Sequence, residues 1–144
     1  MSALRVTRDG PFARVSLARP EVRNAFDAEM IGELRATFED FAVEPPDLLR
    51  GVVLAGKGPT FCAGADVAWM RASIGLSVDD NERDAAAMQA MFSAIDACPV
   101  PVIARVQGAA LGGAMGSAPP LTSWSRPRQR PSDSPRPGSG SFRP

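Results

Sequence analysis

The stretch Phe61-Cys62-Ala63-Gly64-Ala65-Asp66 joins a predicted strand to a predicted helix and decides the fold. The apolar run 48–55 before it has the length of a buried strand, and residues 67–71 after it can continue as a helix. Small residues at such a junction let backbone N–H groups face a ligand, and the unpaired N–H groups of a helix start favour a negative oxygen. The stretch therefore predicts an anion or oxyanion site, with an ordinary tight turn as the alternative.

A second strand followed by small residues favours the site over the turn. Residues 101–106 are predicted to form a strand, and residues 107–116 a small-residue loop that runs into a helix start. Because the carboxyl ends of parallel strands meet at one edge of an open α/β sheet, both loops should lie at that edge. One N–H from each loop could then polarise a single carbonyl oxygen.

The other elements of residues 1–116 complete a predicted α/β fold. Residues 4–7 and 13–17 alternate in polarity around a turn, which predicts a β-hairpin. Asp27 is a predicted N-cap, and a second helix follows Ser77. Residues at helical spacing predict the apolar faces of these helices, which are Met30, Ile31, Leu34, Phe38 and Phe41 in the first and Ala85, Met88, Met91, Phe92 and Ile95 in the second.

Composition excludes several classes of protein. The formal net charge of zero argues against nucleic acid as a partner. No run is long enough to span a bilayer and the first residues lack an apolar signal core, so we expect a cytoplasmic protein without membrane association. Two cysteines are too few for a disulfide framework, and the absence of histidine excludes a His-based triad and a His-ligated metal site.

Four segments in this order resemble the enoyl-CoA hydratase/isomerase (crotonase) superfamily, namely residues 19–26, 58–66, 99–104 and 108–113. The resemblance covers residues 4–116. It implies an α/β fold built as a spiral of ββα turns, which would be incomplete here. It also implies an acyl-CoA thioester as the ligand, coenzyme A only as part of that substrate, and a homotrimer or hexamer for the full-length parent.

The resemblance also implies which residues form the site. By position, the N–H groups of Ala63 and Gly113 would be the catalytic oxyanion-hole donors that hold the thioester oxygen. The CoA-binding residues would be Arg23, Ala25, Ala63, Gly64, Ala65 and Asp66. Two N–H donors stabilise the enolate that forms when water adds to a 2-enoyl thioester or when its double bond moves. We expect Asp66 to cap the following helix, because a helix start lowers the pKa of a carboxyl and makes it a poor acid.

The sequence departs from the family at the proton donors. Gly116 stands where two-glutamate hydratases carry a Glu. Family members with Gly there resemble hydratases and isomerases of branched or carboxylated substrates such as methylglutaconyl-CoA, which rely on a second Glu further on. No Glu follows residue 116 in this chain. Three functions therefore stay open: an enoyl-CoA hydratase, a double-bond isomerase, and a catalytically inactive fragment that binds acyl-CoA weakly at best.

Residues 117–144 differ in composition from residues 1–116, because they hold seven prolines, seven serines and five arginines. Such a segment cannot bury enough apolar surface to fold, which predicts a disordered basic tail. The same composition is typical of GC-rich DNA translated out of frame, and permissible codons for residues 121–130 encode DIVVAAEAA, a family-like strand, in another frame. We therefore predict a crotonase-like part at 1–116 and a frameshifted tail at 117–144. The apolar residues Met88, Met91, Phe92 and Ile95 should then lack their full partners.

Overall fold

The computed structural model describes residues 2–112, which form a four-stranded mixed sheet and three helices. The strands are β1 (Leu4–Asp9), β2 (Phe12–Leu17), β3 (Gly51–Gly56) and β4 (Val102–Arg105). The helices are α1 (Ala28–Ala42), α2 (Val67–Ser73) and α3 (Val78–Asp96), with a short 3₁₀ turn at Pro20–Val22. Gly113, Gly116 and the predicted tail at 117–144 lie outside the described residues.

The sheet combines a hairpin with two parallel pairings. As predicted, β1 and β2 are antiparallel, and β3 and β4 then add in parallel, in the order β1-β2-β3-β4. The loops that follow β2, β3 and β4 therefore leave from the same edge. The predicted strand 48–55 was placed too early, since β3 begins at Gly51. Leu48 instead closes a turn by donating its N–H to the carbonyl of Pro45 at 2.9 Å.

Helix α1 follows the prediction from sequence in both its start and its buried face. Asp27 is the N-cap, and its carboxylate accepts the N–H of Met30 at 2.9 Å. The five predicted apolar residues are all buried, namely Met30, Ile31, Leu34, Phe38 and Phe41. Each such side chain contributes about 1.5–3 kcal/mol when it leaves water, so this face holds α1 on the sheet.

Helix α3 is better covered than the sequence predicted. Ser77 caps it by accepting the N–H of Asp80 at 3.1 Å. Met91 and Ile95 are buried in the core because α3 packs along α1. The expectation that this face lacks its full partners was therefore wrong for Met91 and Ile95, whereas Met88 and Phe92 are only half-buried. Ala85, predicted to lie on the apolar face, is exposed.

The large exposed apolar side chains lie elsewhere than predicted. Several lie in α2, in the loop that follows it and at the start of α3, namely Val67, Met70, Ile74, Leu76 and Val78. In residues 2–112, none of the helices combines the length and the apolar character needed to cross a membrane.

Candidate functional site

The loops after β3 and β4 lie side by side at the carboxyl edge of the sheet. Leu111 donates its N–H to the carbonyl of Cys62 at 3.0 Å, and Cys62 donates its own to Ala109 at 3.3 Å. Cys62 and Ala110 form a parallel bridge. These contacts confirm the prediction that the two small-residue loops share one edge.

A third segment, from the loop after β2, pairs with the other side of the β3 loop. Phe26 donates its N–H to Gly64 at 2.8 Å, and Asp66 donates its N–H to Phe26 at 2.8 Å. Phe26 and Ala65 form a second parallel bridge. Three loops thus make a small parallel layer beyond the end of the sheet, with residues 62–66 in the middle.

The close approach of these loops requires glycine at two positions. Gly64 has φ +88°, and a Cβ there would lie 2.9 Å from the carbonyl oxygen of Leu111. Gly108 has φ +59°, and a Cβ there would lie 2.0 Å from the carbonyl oxygen of Pro59. Any side chain would push the loops apart, which explains the small residues that the sequence places here.

The side chain of Asn24 is fully buried and holds the loop after β3 by hydrogen bonds. Its Nδ2 lies 2.8 Å from the carbonyl oxygen of Lys57, 2.9 Å from that of Thr60 and 3.1 Å from that of Phe61. Its Oδ1 accepts the N–H of Arg19 at 3.0 Å. This role was not predicted from the sequence. The available signal was only that Asn tolerates the left-handed backbone it adopts here, with φ +55°.

A pocket of about 290 Å³ opens between two of these segments, which we call the first wall (residues 21–25) and the second wall (residues 63–67). Its volume is at the lower end of the range for small-molecule sites, about 300–1,000 Å³. It is lined by Glu21, Val22, Arg23, Ala25, Ala63, Ala65, Asp66 and Val67. Five of the six predicted CoA-binding residues therefore border one pocket.

The sixth predicted CoA-binding residue, Gly64, does not border the pocket. Its N–H points at the sulfur of Cys62, 3.4 Å away, and its carbonyl accepts from Phe26. The Cys62 side chain is fully buried, and burial raises the pKa of its thiol, which keeps it protonated. Gly64 thus shapes the second wall rather than facing the cavity.

Ala63, one of the two predicted oxyanion donors, contacts the opposite wall. Its N–H donates to the carbonyl oxygen of Arg23 at 3.0 Å. A thioester oxygen can therefore accept this N–H only if it displaces the carbonyl oxygen of Arg23 or shares the N–H with it. The catalytic role of Ala63 stays a prediction, and its predicted partner Gly113 lies outside the described residues.

Asp66 is the N-cap of α2, as predicted. Its Oδ1 accepts the N–H of Ala68 at 2.8 Å and that of Trp69 at 3.4 Å, and its Oδ2 lies 3.2 Å from Nη2 of Arg19. Desolvation raises the pKa of this buried carboxyl, but the two N–H donors and the Arg19 charge outweigh it, so the pKa lies below its ordinary value. Asp66 is therefore ionised at neutral pH and has no proton to donate.

Two charged side chains stand at the exposed rim of the first wall. Arg23 forms no ion pair with any acidic side chain of residues 2–112, so its guanidinium can meet a ligand anion. Glu21 brings a carboxylate to the same rim and was missed by the sequence analysis, because its position on a 3₁₀ turn follows from the loop geometry alone. Within this described part of the chain, no three His, Cys, Asp or Glu side chains cluster closely enough to hold a metal ion.

Comparison with known proteins identifies the family to which the chain is similar. The family model for enoyl-CoA hydratase/isomerase matches residues 8–118. The enoyl-CoA hydratase ACTT6 of Alternaria alternata is 38% identical over 105 residues, which are 73% of this chain and 33% of that protein. The crystal structure of an enoyl-CoA hydratase from Shewanella pealeana superposes with a TM-score of 0.75 at 36% identity, covering 80% of this chain and 43% of that one.

A second solved structure agrees with the first. The enoyl-CoA hydratase of Mycobacterium smegmatis superposes with a TM-score of 0.66 at 36% identity, over 72% of this chain and 39% of that one. The present chain thus spans less than half the length of the relatives it matches.

Proposed function

Because this chain belongs to the enoyl-CoA hydratase/isomerase family, we propose that its parent protein adds water to a 2-enoyl-CoA thioester. We extend the proposal to branched or carboxylated substrates such as methylglutaconyl-CoA. The observation that carries it is the pocket between the two walls, which is lined in part by the small residues Ala25, Ala63 and Ala65 and has the positive charge of Arg23 at its rim. No cofactor beyond the CoA of the substrate is required.

The pocket would act by holding the thioester oxygen. Adding water to the double bond places negative charge on that oxygen, and the N–H of Ala63 would stabilise it together with a second donor, Gly113. Removing one such donor lowers the rate by about 100–1,000-fold in comparable sites. A charged acceptor makes a stronger hydrogen bond than a neutral carbonyl, so the developing enolate can take the Ala63 N–H from Arg23.

Proton transfer is the step for which this chain lacks the Glu residues that the family resemblance implies. Asp66 is ionised and engaged by Arg19, Ala68 and Trp69, and no Glu follows Gly116. General acid–base catalysis contributes about 100–10,000-fold. We therefore propose that the 144-residue chain binds acyl-CoA without turning it over, and that a frame-corrected product would turn it over.

Two assays test these proposals. Calorimetric titration with coenzyme A and crotonyl-CoA measures binding by the 144-residue chain, and the enoyl thioester absorbance measures turnover of crotonyl-CoA and 3-methylglutaconyl-CoA. We expect binding without turnover by this chain, and turnover by the protein made after a one-base correction near codons 114–118. Absence of binding would refute the CoA site. Turnover by the 144-residue chain would refute the role of the missing Glu, and its loss in Glu21→Gln would then assign the proton donor to Glu21.

Product analysis of the frame-corrected protein separates hydration from double-bond isomerisation, which also places negative charge on the thioester oxygen. A 3-hydroxyacyl-CoA product supports the hydratase, and a shifted enoyl-CoA supports the isomerase. We further propose that the full-length parent is a cytoplasmic homotrimer or hexamer that binds neither nucleic acid nor membranes. Mass photometry of the frame-corrected protein tests the oligomeric state.

A further inference from the structure

Arg19 lies just beyond β2, and its side chain contacts both walls of the pocket without lining the cavity. Its side chain is only 20% exposed. Nη1 lies 2.8 Å from the carbonyl oxygen of Ala25, in the first wall, and 2.8 Å from Oδ2 of Asp27. Nη2 lies 3.2 Å from Oδ2 of Asp66, in the second wall. One guanidinium thus contacts both walls and adds side-chain bonds to the backbone bond between Ala63 and Arg23.

In both Asp27 and Asp66, one carboxylate oxygen caps a helix and the other contacts Arg19. Oδ1 of Asp27 caps α1 by accepting from Met30, and its Oδ2 faces Arg19. Oδ1 of Asp66 caps α2 by accepting from Ala68, and its Oδ2 faces Arg19. The starts of two helices from distant parts of the chain are therefore held relative to each other by one positive charge.

We propose that Arg19 is a positioning residue that sets the separation of the two pocket walls, and through it the affinity of the pocket for the CoA ligand. The proposal deepens the proposed function and rests on it where affinity is concerned. Arg19 does not border the pocket. It acts through Ala25 and Asp66, which do.

The chemistry of the site requires arginine rather than lysine. A guanidinium is a planar fork with several N–H donors, which can serve three oxygens in fixed directions. A lysine ammonium carries the same charge as a compact point on a flexible stem. Arg19→Lys therefore keeps the charge between the two aspartates and removes the geometry, which separates positioning from simple charge balance.

Hydrogen–deuterium exchange of the 144-residue chain tests the positioning itself. The amides of Phe26, Ala63 and Asp66 make the backbone bonds between the loop after β2, which carries the first wall, and the loop after β3, which carries the second wall. In Arg19→Lys we expect these three to exchange about tenfold faster, with the amides of the β1–β2 hairpin unchanged. Arg35→Lys is the matched control, because Arg35 pairs with Glu39 at 2.7 Å on the exposed side of α1.

Several exchange results would overturn the proposal. These are equal rates in Arg19→Lys and Arg35→Lys, a uniform acceleration that includes the hairpin, and an absence of protection at the three amides in the unsubstituted chain. A uniform acceleration would mean that Arg19 supports only the stability of the whole fold.

Titration with coenzyme A then separates the two proposals. We expect the Kd to rise about tenfold in Arg19→Lys and to stay unchanged in Arg35→Lys. If the unsubstituted chain binds no coenzyme A but the exchange changes as expected, the proposed function fails and the positioning of the walls stands. If coenzyme A binds equally to the unsubstituted chain and to Arg19→Lys, the link between Arg19 and affinity is refuted.

Discussion

The N–H of Ala63 donates to the carbonyl oxygen of Arg23 at 3.0 Å, so the predicted oxyanion donor is bound to the facing wall of its own pocket. Arg23 and Asn24 both have φ +55°, a backbone conformation that L residues adopt at a cost. The buried side chain of Asn24 holds them there. The donor is thus presented at the pocket with a neutral acceptor in place, which a negatively charged oxygen can replace.

Binding of an acyl-CoA should change the environment of the Ala63 amide. If the thioester oxygen takes this N–H from Arg23, we expect the amide resonance of Ala63 to shift on addition of a non-hydrolysable acyl-CoA analogue. The amide of Leu48, which donates to Pro45 in the turn before β3, serves as the reference and should stay in place. An unchanged Ala63 resonance at saturation would remove this residue from the oxyanion site.

Replacing Asn24 with alanine should destabilise the fold by about 3 kcal/mol. The change leaves the carbonyls of Lys57, Thr60 and Phe61 without their shared donor. It also puts alanine in the left-handed region, which asparagine tolerates better. Asn24→Gly loses the same bonds but tolerates the backbone, so it should cost about 1 kcal/mol less. Urea unfolding measures both variants.

The control for this pair is Asn81→Ala, which removes a single bond from Nδ2 to Ser73 at 3.1 Å. We expect it to cost less than about 1.5 kcal/mol. Equal losses in Asn24→Ala and Asn81→Ala would show that Asn24 does not hold the loop after β3.

The contribution of Asp66 to the free energy of unfolding should depend on pH. Its pKa is lower in the folded chain than in the unfolded chain, so its contribution is complete above the unfolded value, about 3.9. The contribution is lost as the pH falls through the folded value. Asn is an equally good N-cap, so Asp66→Asn should lose mainly the charge-assisted bond to Arg19, about 1 kcal/mol at pH 7.

The difference in unfolding free energy between the unsubstituted chain and Asp66→Asn should therefore shrink as the pH is lowered below about 4. Urea unfolding at a series of pH values measures it, with Asp40→Asn as an exposed control expected to change stability by less than about 0.5 kcal/mol. A difference that is constant from neutral to acid pH would contradict the role of the carboxylate charge.

The loops after β3 and β4 should move apart if a side chain is placed between them. Gly108→Ala would set a Cβ 2.0 Å from the carbonyl oxygen of Pro59, at φ +59°, and we expect a loss of about 3 kcal/mol or more, since backbone must move. Gly32→Ala is the matched change in the exposed middle of α1, where a Cβ meets nothing within 4 Å. It should stabilise the chain by about 0.5–1 kcal/mol. Thermal unfolding compares them, and a tolerated Gly108→Ala would refute the close approach.

Local patterns predicted most of the elements correctly. The hairpin, the buried face of α1 and the caps at Asp27 and Asp66 depend on spacing and on residues within a few positions of each other, which a sequence displays directly. The predictions failed where a distant element decides the outcome. Met91 and Ile95 are buried because α1 packs along α3, and β3 begins at Gly51 because Leu48 is used by a local turn.

The sequence alone determined that small-residue loops follow the strands at one edge of the sheet. The spacing of apolar residues and the presence of glycine or alanine are local properties, which neighbouring positions display directly. The tertiary structure alone decided which side chains hold those loops against each other. Arg19 meets Asp66 and Asn24 meets Phe61 across separations of 47 and 37 residues, and such pairs form only when packing of the whole sheet brings them within hydrogen-bond distance. For the same reason only the folded chain shows that the Ala63 N–H faces Arg23.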